Sequence, residues 1–94
     1  MINILMFTQD TCVPCKQIKP ILKDIAKLMH LGIEYINVTN NWDSCDMFGV
    51  KSTPAIFLVR ITEEMEYHVV KEIKSRTAAA MFKEVKSAFE KVIQ

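Results

Sequence analysis

Two cysteines separated by two residues, Cys12 and Cys15, are the side chains whose type and spacing point most directly to chemistry. The second sulfur lies one helical turn inside the element that follows, so the two thiols can approach one another. Cys12, at the loop end, is expected to attack a target disulfide as a thiolate, and Cys15 to resolve the resulting mixed disulfide. The spacing therefore predicts reversible dithiol–disulfide exchange.

The position of this pair, where a strand ends and a helix begins, predicts a reactive Cys12. Unpaired N–H groups and the dipole at a helix N-terminus favour an anion, so the pKa of the Cys12 thiol is expected below the value of about 8.5 for a free thiol. Lys16 adds a positive charge nearby and Asp10 opposes it. The balance between these two charges stays open at this point.

Zinc binding is the alternative use of a close cysteine pair. Zinc is normally held by about four ligands, and the sequence has no second close pair, so redox chemistry is favoured and no metal is expected. The third cysteine, Cys45, stands alone. We expect it to be a small buried hydrophobe, with a regulatory or intermolecular thiol as the alternative.

A second candidate feature is Ser52-Thr53-Pro54, directly before an apolar run. The first residue of a strand is one of the few places where a sheet accepts proline. If the Thr53–Pro54 bond is cis, the backbone turns sharply and can present N–H and C=O groups to an extended polypeptide beside the cysteines. The sequence by itself does not fix the isomer.

Length and charge limit the class of protein. A chain of 94 residues and 10.8 kDa is expected to form one domain over residues 1–94. Twelve basic residues against 11 acidic residues give a net charge of +1. No strong field then draws in nucleic acid or an anionic membrane, and neither partner is expected.

Cysteine number and the N-terminal segment bear on the compartment. Three cysteines, an odd number, argue against a secreted protein stapled by disulfides. The apolar start over residues 2–7 lacks a basic region and is too short for a signal peptide, which needs about 7 to 15 apolar residues, or for a membrane span of about 20. We therefore expect a cytoplasmic protein.

Hydrophobic periodicity predicts an α/β protein. The expected elements are a strand over Ile2–Phe7, a helix from Pro14 to a cap at Gly32, a strand over Ile33–Val38, a short helix from Trp42 or Asp43 to Gly49, strands over Ala55–Ile61 and Glu66–Ile73, and a helix over Thr77–Ile93 capped by Ser75 or Thr77. Pro20 is expected to kink the first helix rather than end it. The order β-α-β-(short α)-β-β-α predicts a four-stranded mixed sheet with helices on both faces.

Two motifs carry a family resemblance over nearly the whole chain. Cys12-Val13-Pro14-Cys15-Lys16, with Pro20 following, resembles the signature of the thioredoxin and glutaredoxin superfamily, and Phe48–Pro54 resembles its segment leading to a cis-proline. The chain is thereby identified as a minimal thioredoxin-like redoxin of glutaredoxin size. The resemblance implies a thioredoxin fold, a cis Pro54 facing Cys12, and reduction of protein disulfides.

The resemblance also implies site residues and partners. Cys12 and Cys15 would be catalytic, Lys16 would modulate the thiol pKa, and the substrate would contact Thr11, Val13, Pro14, Ser52, Thr53 and Pro54. The redox-active disulfide is then the only cofactor. Electrons would come from NADPH through a thioredoxin reductase, ribonucleotide reductase is an implied recipient, and a monomer is the expected state.

Departures from the family pattern keep alternatives open. Thr11 and Val13 stand where thioredoxins have Trp and Gly, and Met6 replaces the buried acid that accepts the proton of the resolving cysteine. The segment Ile73–Thr77 lacks the Gly-Gly and acidic residues with which glutaredoxins hold glutathione. A glutathione-dependent glutaredoxin and a non-catalytic protein-binding module are two alternatives. A third is an oxidant or isomerase, since the direction of exchange is set by the reduction potential.

Overall fold

A computed structural model, which describes residues 1–93, gives four strands and three α-helices in the expected order. The elements are β1 (Ile2–Thr8), α1 (Val13–Met29), β2 (Gly32–Asn37), α2 (Trp42–Phe48), β3 (Ala55–Ile61), β4 (Tyr67–Ile73) and α3 (Ala78–Ile93). A single 3-10 turn over Val38–Asn40 lies between β2 and α2. The hydrophobic pattern predicts Val38 as the last residue of the second strand, whereas β2 ends one residue earlier, at Asn37. The predicted thioredoxin fold is confirmed.

The sheet has the strand order β2-β1-β3-β4, so β1 and β3 are central. Strand β1 runs parallel to β2 and antiparallel to β3, and β3 runs antiparallel to β4. A central strand is covered on both faces, which is why β1 reads as a continuous apolar run rather than an alternating one. Its residues Ile4 to Phe7 are all fully buried.

Helices cover both faces of this sheet and form two apolar clusters. On one face, Leu22 of α1 and Met81 of α3 pack with Ile4 of β1. On the other face, Cys45 and Phe48 of α2 pack with Phe7. Among the residues described, no helix combines the length and apolarity needed to cross a bilayer.

The predicted helix cap at Gly32 is wrong. Helix α1 ends at Met29, and His30 takes the left-handed cap conformation with φ of 56°. Gly32 is instead the first residue of β2. A Cβ atom at Gly32 would lie 2.7 Å from the Oδ1 atom of Asn3 on the paired strand, so close approach between strands explains the glycine.

Other local expectations are confirmed. Pro20 does not end α1, because the helix continues for nine residues beyond it to Met29. Gly49 ends α2 with φ of 68°, the left-handed conformation that glycine adopts without steric cost. Thr77, rather than Ser75, caps α3, because its Oγ1 atom accepts from the N–H of Ala80 at 3.4 Å.

Candidate active site

The Cys12 sulfur occupies the cap position of α1. Cys12 has an extended backbone, and its Sγ atom accepts a hydrogen bond from the N–H of Cys15 at 3.1 Å. The N–H of Cys12 donates to the carbonyl of Gln9 at 3.0 Å, which closes the turn between β1 and α1. Pro14 fits the first turn because an N–H at that position has no carbonyl partner within the helix, so proline loses no helical hydrogen bond.

The two cysteines form a disulfide, with 5.2 Å between their Cα atoms. They differ in burial: Cys12 keeps 9% of its surface accessible and Cys15 keeps 1%. Cys12 is therefore the more accessible of the two to an incoming disulfide, while Cys15 is almost completely screened by the protein. This asymmetry agrees with an attacking Cys12 and a resolving Cys15.

Exposed residues surround the cysteine pair. Thr11, Val13, Pro14 and Lys16 are all exposed, and Val13 keeps 62% of its surface accessible. An apolar side chain this open to water beside a reactive sulfur offers contact area to a docked polypeptide. Lys16 belongs to the first turn of α1, directly after Cys15.

The Thr53–Pro54 bond is cis. Phe7 pairs with Ala55, so the start of β3 lies beside the end of β1, and the chain continues from β1 into Cys12. Thr53 and Pro54 are half-buried and Ser52 is exposed. The fold thus brings the proline segment and the cysteine segment together at one end of the two central strands.

Arg76 contacts the proline segment at this end of the sheet, and the sequence does not reveal this contact. Its Nη2 atom donates to the carbonyl of Pro54 at 3.2 Å, and its Nη1 atom donates to the carbonyls of Ile73 and Ser75 at 2.8 and 2.9 Å. Bonds between residues 22 positions apart leave no local pattern in a sequence. The nearest signal is the basic character of the segment between β4 and α3.

Glu84 of α3 supports the same connection. Its Oε1 atom accepts from the N–H groups of Lys74 and Ser75, both at 3.0 Å, and its Oε2 atom lies 3.4 Å from Nζ of Lys71. Partial burial would raise the pKa of the Glu84 carboxyl, but the N–H of Ser75 and the ammonium of Lys71 outweigh it and leave the pKa below its ordinary value. The ionised carboxylate therefore fixes the β4–α3 connection at neutral pH.

A cavity of about 280 Å³ opens beside the proline segment. Gln9, Trp42, Lys51 and Thr53 are among the residues that line it. Trp42 keeps 73% of its surface accessible. A lone aromatic residue in a sequence gives no sign of which way its ring faces, so the sequence does not predict this exposure.

The interior beneath the sulfurs is apolar. Met6, fully buried, lies in the same cluster as Cys12 and Cys15, at the position where the family resemblance implies an acid. Cys45 is buried at 7% exposure and carries a free thiol, as expected of a small core residue. Within residues 1–93, no three His, Cys, Asp or Glu side chains lie close enough to share a metal ion.

These features define a thioredoxin fold with a dithiol centre at the start of its first helix. A family model described as Thioredoxin matches residues 2–91. The chain therefore belongs to the thioredoxin family.

Individual relatives agree with this assignment. The chain is 34% identical over 59 residues to the thioredoxin of Buchnera aphidicola subsp. Baizongia pistaciae, covering 61% of this chain and 54% of that protein. It is 32% identical over 60 residues to the thioredoxin of Chlamydia pneumoniae, covering 63% and 59%. The chain thus spans a little over half the length of these curated relatives.

Solved structures show the same fold. Thioredoxin 1 from Thermosipho africanus superposes with a TM-score of 0.75 at 22% identity, covering 98% of this chain and 99% of that one. Mitochondrial thioredoxin 3 from Saccharomyces cerevisiae, in its oxidised form, also gives 0.75 at 18% identity, covering 92% and 77%. At these identities the likeness concerns the fold alone.

Proposed function

We propose that this protein is a thiol–disulfide oxidoreductase that reduces disulfides in other proteins. The observation that carries the proposal is the Cys12–Cys15 disulfide at the N-terminus of α1, with the N–H of Cys15 directed at the Cys12 sulfur. A sulfur in that position is stabilised as a thiolate when the pair is reduced. Membership of the thioredoxin family supports the same reaction.

The reaction has two exchange steps. The Cys12 thiolate attacks one sulfur of the substrate disulfide, so that a mixed disulfide forms and the other substrate sulfur leaves as a thiolate. The Cys15 sulfur, deprotonated, then attacks Sγ of Cys12, which forms the Cys12–Cys15 disulfide and releases the second substrate thiolate. Two electrons pass to the substrate, and both of its sulfurs take up protons from solvent.

Deprotonation of Cys15 is the step for which the fold supplies no evident proton acceptor within residues 1–93. Cys15 is almost completely buried, and its neighbour Met6 has no atom that accepts a proton well. A water molecule admitted when the substrate docks is the acceptor that we propose. The second exchange step is then expected to be slower than in a relative that has an acid at that position.

The electron donor that we propose is NADPH acting through a thioredoxin reductase, with ribonucleotide reductase among the recipients. Support comes from the family and from the thioredoxin-like motif around the cysteines. Glutathione is the competing donor. Incubating the oxidised protein with each donor system separately and counting the thiols regenerated distinguishes the two, and the donor that restores none is rejected.

The remaining assignments follow from the sequence. We propose that residues 1–94 form one domain and that it acts as a monomer. We place it in the cytoplasm, because an odd number of cysteines suits a reducing compartment. Fractionation of cells that express the chain, followed by size-exclusion chromatography, tests the compartment and the monomer together. Recovery as a disulfide-linked dimer through Cys45 would contradict the monomer.

Reduction of insulin disulfides tests the reaction. Wild-type protein with dithiothreitol should accelerate the precipitation of insulin chains, and Cys12→Ser should lose at least about a hundredfold in rate, because hydroxyl is a far poorer nucleophile than thiolate. Cys45→Ala, which removes the thiol outside the site, is the control and should retain the activity. Cys15→Ser, reduced beforehand and mixed with insulin without dithiothreitol, should accumulate a mixed disulfide that added dithiothreitol then cleaves.

A wild type that fails to accelerate insulin reduction would contradict the proposal. The fold would then be that of a non-catalytic binding module, in which the thiols serve no exchange reaction. Retention of full activity by Cys12→Ser would contradict the assignment of the nucleophile, although not the activity itself.

A further inference from the structure

The carbonyl of Pro54 is held by a side chain from a distant part of the chain. Proline has no N–H, so this carbonyl is the only backbone group through which Pro54 can form a hydrogen bond. It accepts from Nη2 of Arg76 at 3.2 Å. The same guanidinium is anchored through Nη1 to the carbonyls of Ile73 and Ser75, so it bridges the start of β3 and the end of β4.

The residues to which Nη1 of Arg76 is anchored are themselves well restrained. Ile73 is fully buried at the end of β4, and the N–H groups of Lys74 and Ser75 are both bound by the Glu84 carboxylate of α3. A planar guanidinium that donates to three carbonyls has little freedom to rotate. Arg76 therefore fixes the Pro54 carbonyl relative to β4 and α3.

The segment that Arg76 steadies has few other restraints. Val50 donates to the carbonyl of Cys45 at 2.9 Å, but the backbone of residues 51–53 makes no backbone–backbone hydrogen bond within residues 1–93. The N–H and C=O groups of Thr53 thus have no backbone partner among the described residues, and Thr53 lines the cavity beside α2. Their position depends on the two ends of the segment, Val50 and Pro54.

We propose that Arg76 is a positioning residue for polypeptide substrates. By holding the Pro54 carbonyl it keeps the unpaired backbone groups of Thr53 aligned for an extended peptide at the end of the sheet that carries Cys12. This inference rests on the proposed reduction of protein disulfides. The hydrogen bonds of Arg76 go to carbonyl oxygens and not to either sulfur, so it acts on docking and leaves the exchange chemistry to the cysteines.

The role predicts a difference between two kinds of substrate. A polypeptide disulfide needs the aligned backbone of Thr53, whereas a small neutral disulfide such as dithiodipyridine reaches the Cys12 sulfur without it. Loss of Arg76 should therefore weaken docking of the first and leave the reaction of the second unchanged. A merely structural role would slow both reactions, because it would disturb the cysteine pair as well.

The experiment is single-turnover kinetics of the reduced protein with excess insulin and, separately, with dithiodipyridine. For Arg76→Ala we expect the half-saturation concentration for insulin to rise about tenfold, equivalent to about 1.4 kcal/mol, with the limiting rate unchanged. The rate with dithiodipyridine should equal that of wild type. Arg60→Ala, an exposed arginine near the far end of β3, is the matched control and should behave as wild type with both.

Arg76→Lys separates positioning from simple charge attraction. Lysine keeps the charge but lacks the planar fork that donates to both sides of the bridge, so the defect with insulin should persist. Hydrogen exchange at the first amides of β3 should be faster in both Arg76 variants, a readout independent of activity. Full rescue by lysine, or a defect that vanishes at high salt, would overturn the positioning role.

The remaining outcomes are also decisive. Equal behaviour of Arg76→Ala and wild type with insulin, or equal slowing with both substrates, would overturn the inference while the proposed function stands. A wild type that reacts with neither substrate would overturn the proposed function and the inference with it. If Arg76→Ala does not fold, judged by circular dichroism, Arg76→Lys and the exchange measurement decide whether the positioning role holds.

Discussion

At the scale of single residues, the Cys12 sulfur both caps α1 and carries the proposed chemistry. Helix caps are usually side-chain oxygens of Ser, Thr, Asp or Asn, which accept the free N–H groups of the first turn. Here the acceptor is Sγ of Cys12, 3.1 Å from the N–H of Cys15. In the reduced protein the same N–H can donate to a thiolate, and a hydrogen bond to a charged acceptor is stronger than one to a neutral acceptor.

This geometry predicts that the pKa of the Cys12 thiol in the reduced protein lies below the value of about 8.5 for a free thiol. The pH dependence of alkylation by iodoacetamide in Cys15→Ser, with mass spectrometry to locate the label, measures it. Lys16→Gln should raise that pKa if the lysine charge contributes. A pKa of Cys12 at or above the free-thiol value would show that the cap does not stabilise the anion.

Single residues also show where sequence reasoning succeeds. The placement of Cys12, Cys15 and Pro54 could be predicted because it depends on local spacing and on the boundaries of neighbouring elements. Arg76 and Trp42 could not be placed. Their roles depend on the fold, since Arg76 bonds a residue 22 positions away and the exposure of Trp42 depends on how α2 packs.

At the scale of elements, the two glycines are required for different structural reasons. Gly49 ends α2 with a positive φ, and a Cβ atom there would meet open space. Gly32 begins β2, where a Cβ atom would lie 2.7 Å from Oδ1 of Asn3, itself buried in β1. The sequence pattern marks both as helix ends. Only the pairing of Asn3 with Gly32 across parallel strands shows that the second glycine makes room for a neighbouring strand.

Gly32→Ala is therefore expected to destabilise the protein by about 1 kcal/mol. Overpacking costs about 1–3 kcal/mol, and the smaller backbone entropy of alanine returns about 0.5–1 kcal/mol. Denaturant unfolding measures the change. Asn3→Ala in the same chain removes the clash, so the added effect of Gly32→Ala should then disappear, and an undiminished effect would contradict the steric explanation.

At the scale of the whole molecule, one side-chain contact connects the two edge strands of the sheet. Tyr67 on β4 donates its hydroxyl to the Glu34 carboxylate on β2, at 2.9 and 3.1 Å from the two oxygens. Asn3 on β1 donates to the same carboxylate at 3.4 Å. The apolar cluster of this face includes Leu5 and Val59, both fully buried. The hydrophobic pattern predicts that core, but not a polar link between its outermost strands.

Tyr67→Phe should lower the free energy of unfolding by about 1 kcal/mol, because the hydrogen bond is lost and the ring is kept. Burial, the hydrogen bond to Glu34 and the Glu34 charge raise the pKa of Tyr67. A raised pKa means that the bond contributes fully below pH of about 10 and is lost as the pH rises through the folded value. The stability difference between wild type and variant should shrink in that direction.

Tyr35→Phe is the matched control, since Tyr35 is 42% exposed and its ring lies 5.1 Å from Nζ of Lys19. That contact uses the ring face, which phenylalanine preserves. Urea unfolding of the three proteins at several pH values gives the comparison. Equal losses in the two variants would show that the Tyr67–Glu34 bond makes no specific contribution.

The exposed indole on α2 has a practical consequence. Trp42 is the only tryptophan of the chain, and it lines the cavity that Thr53 also borders. Tryptophan fluorescence of the native protein therefore originates beside the proline segment and nowhere else. Emission wavelength and quenching report, without any label, whether a peptide has covered that part of the surface.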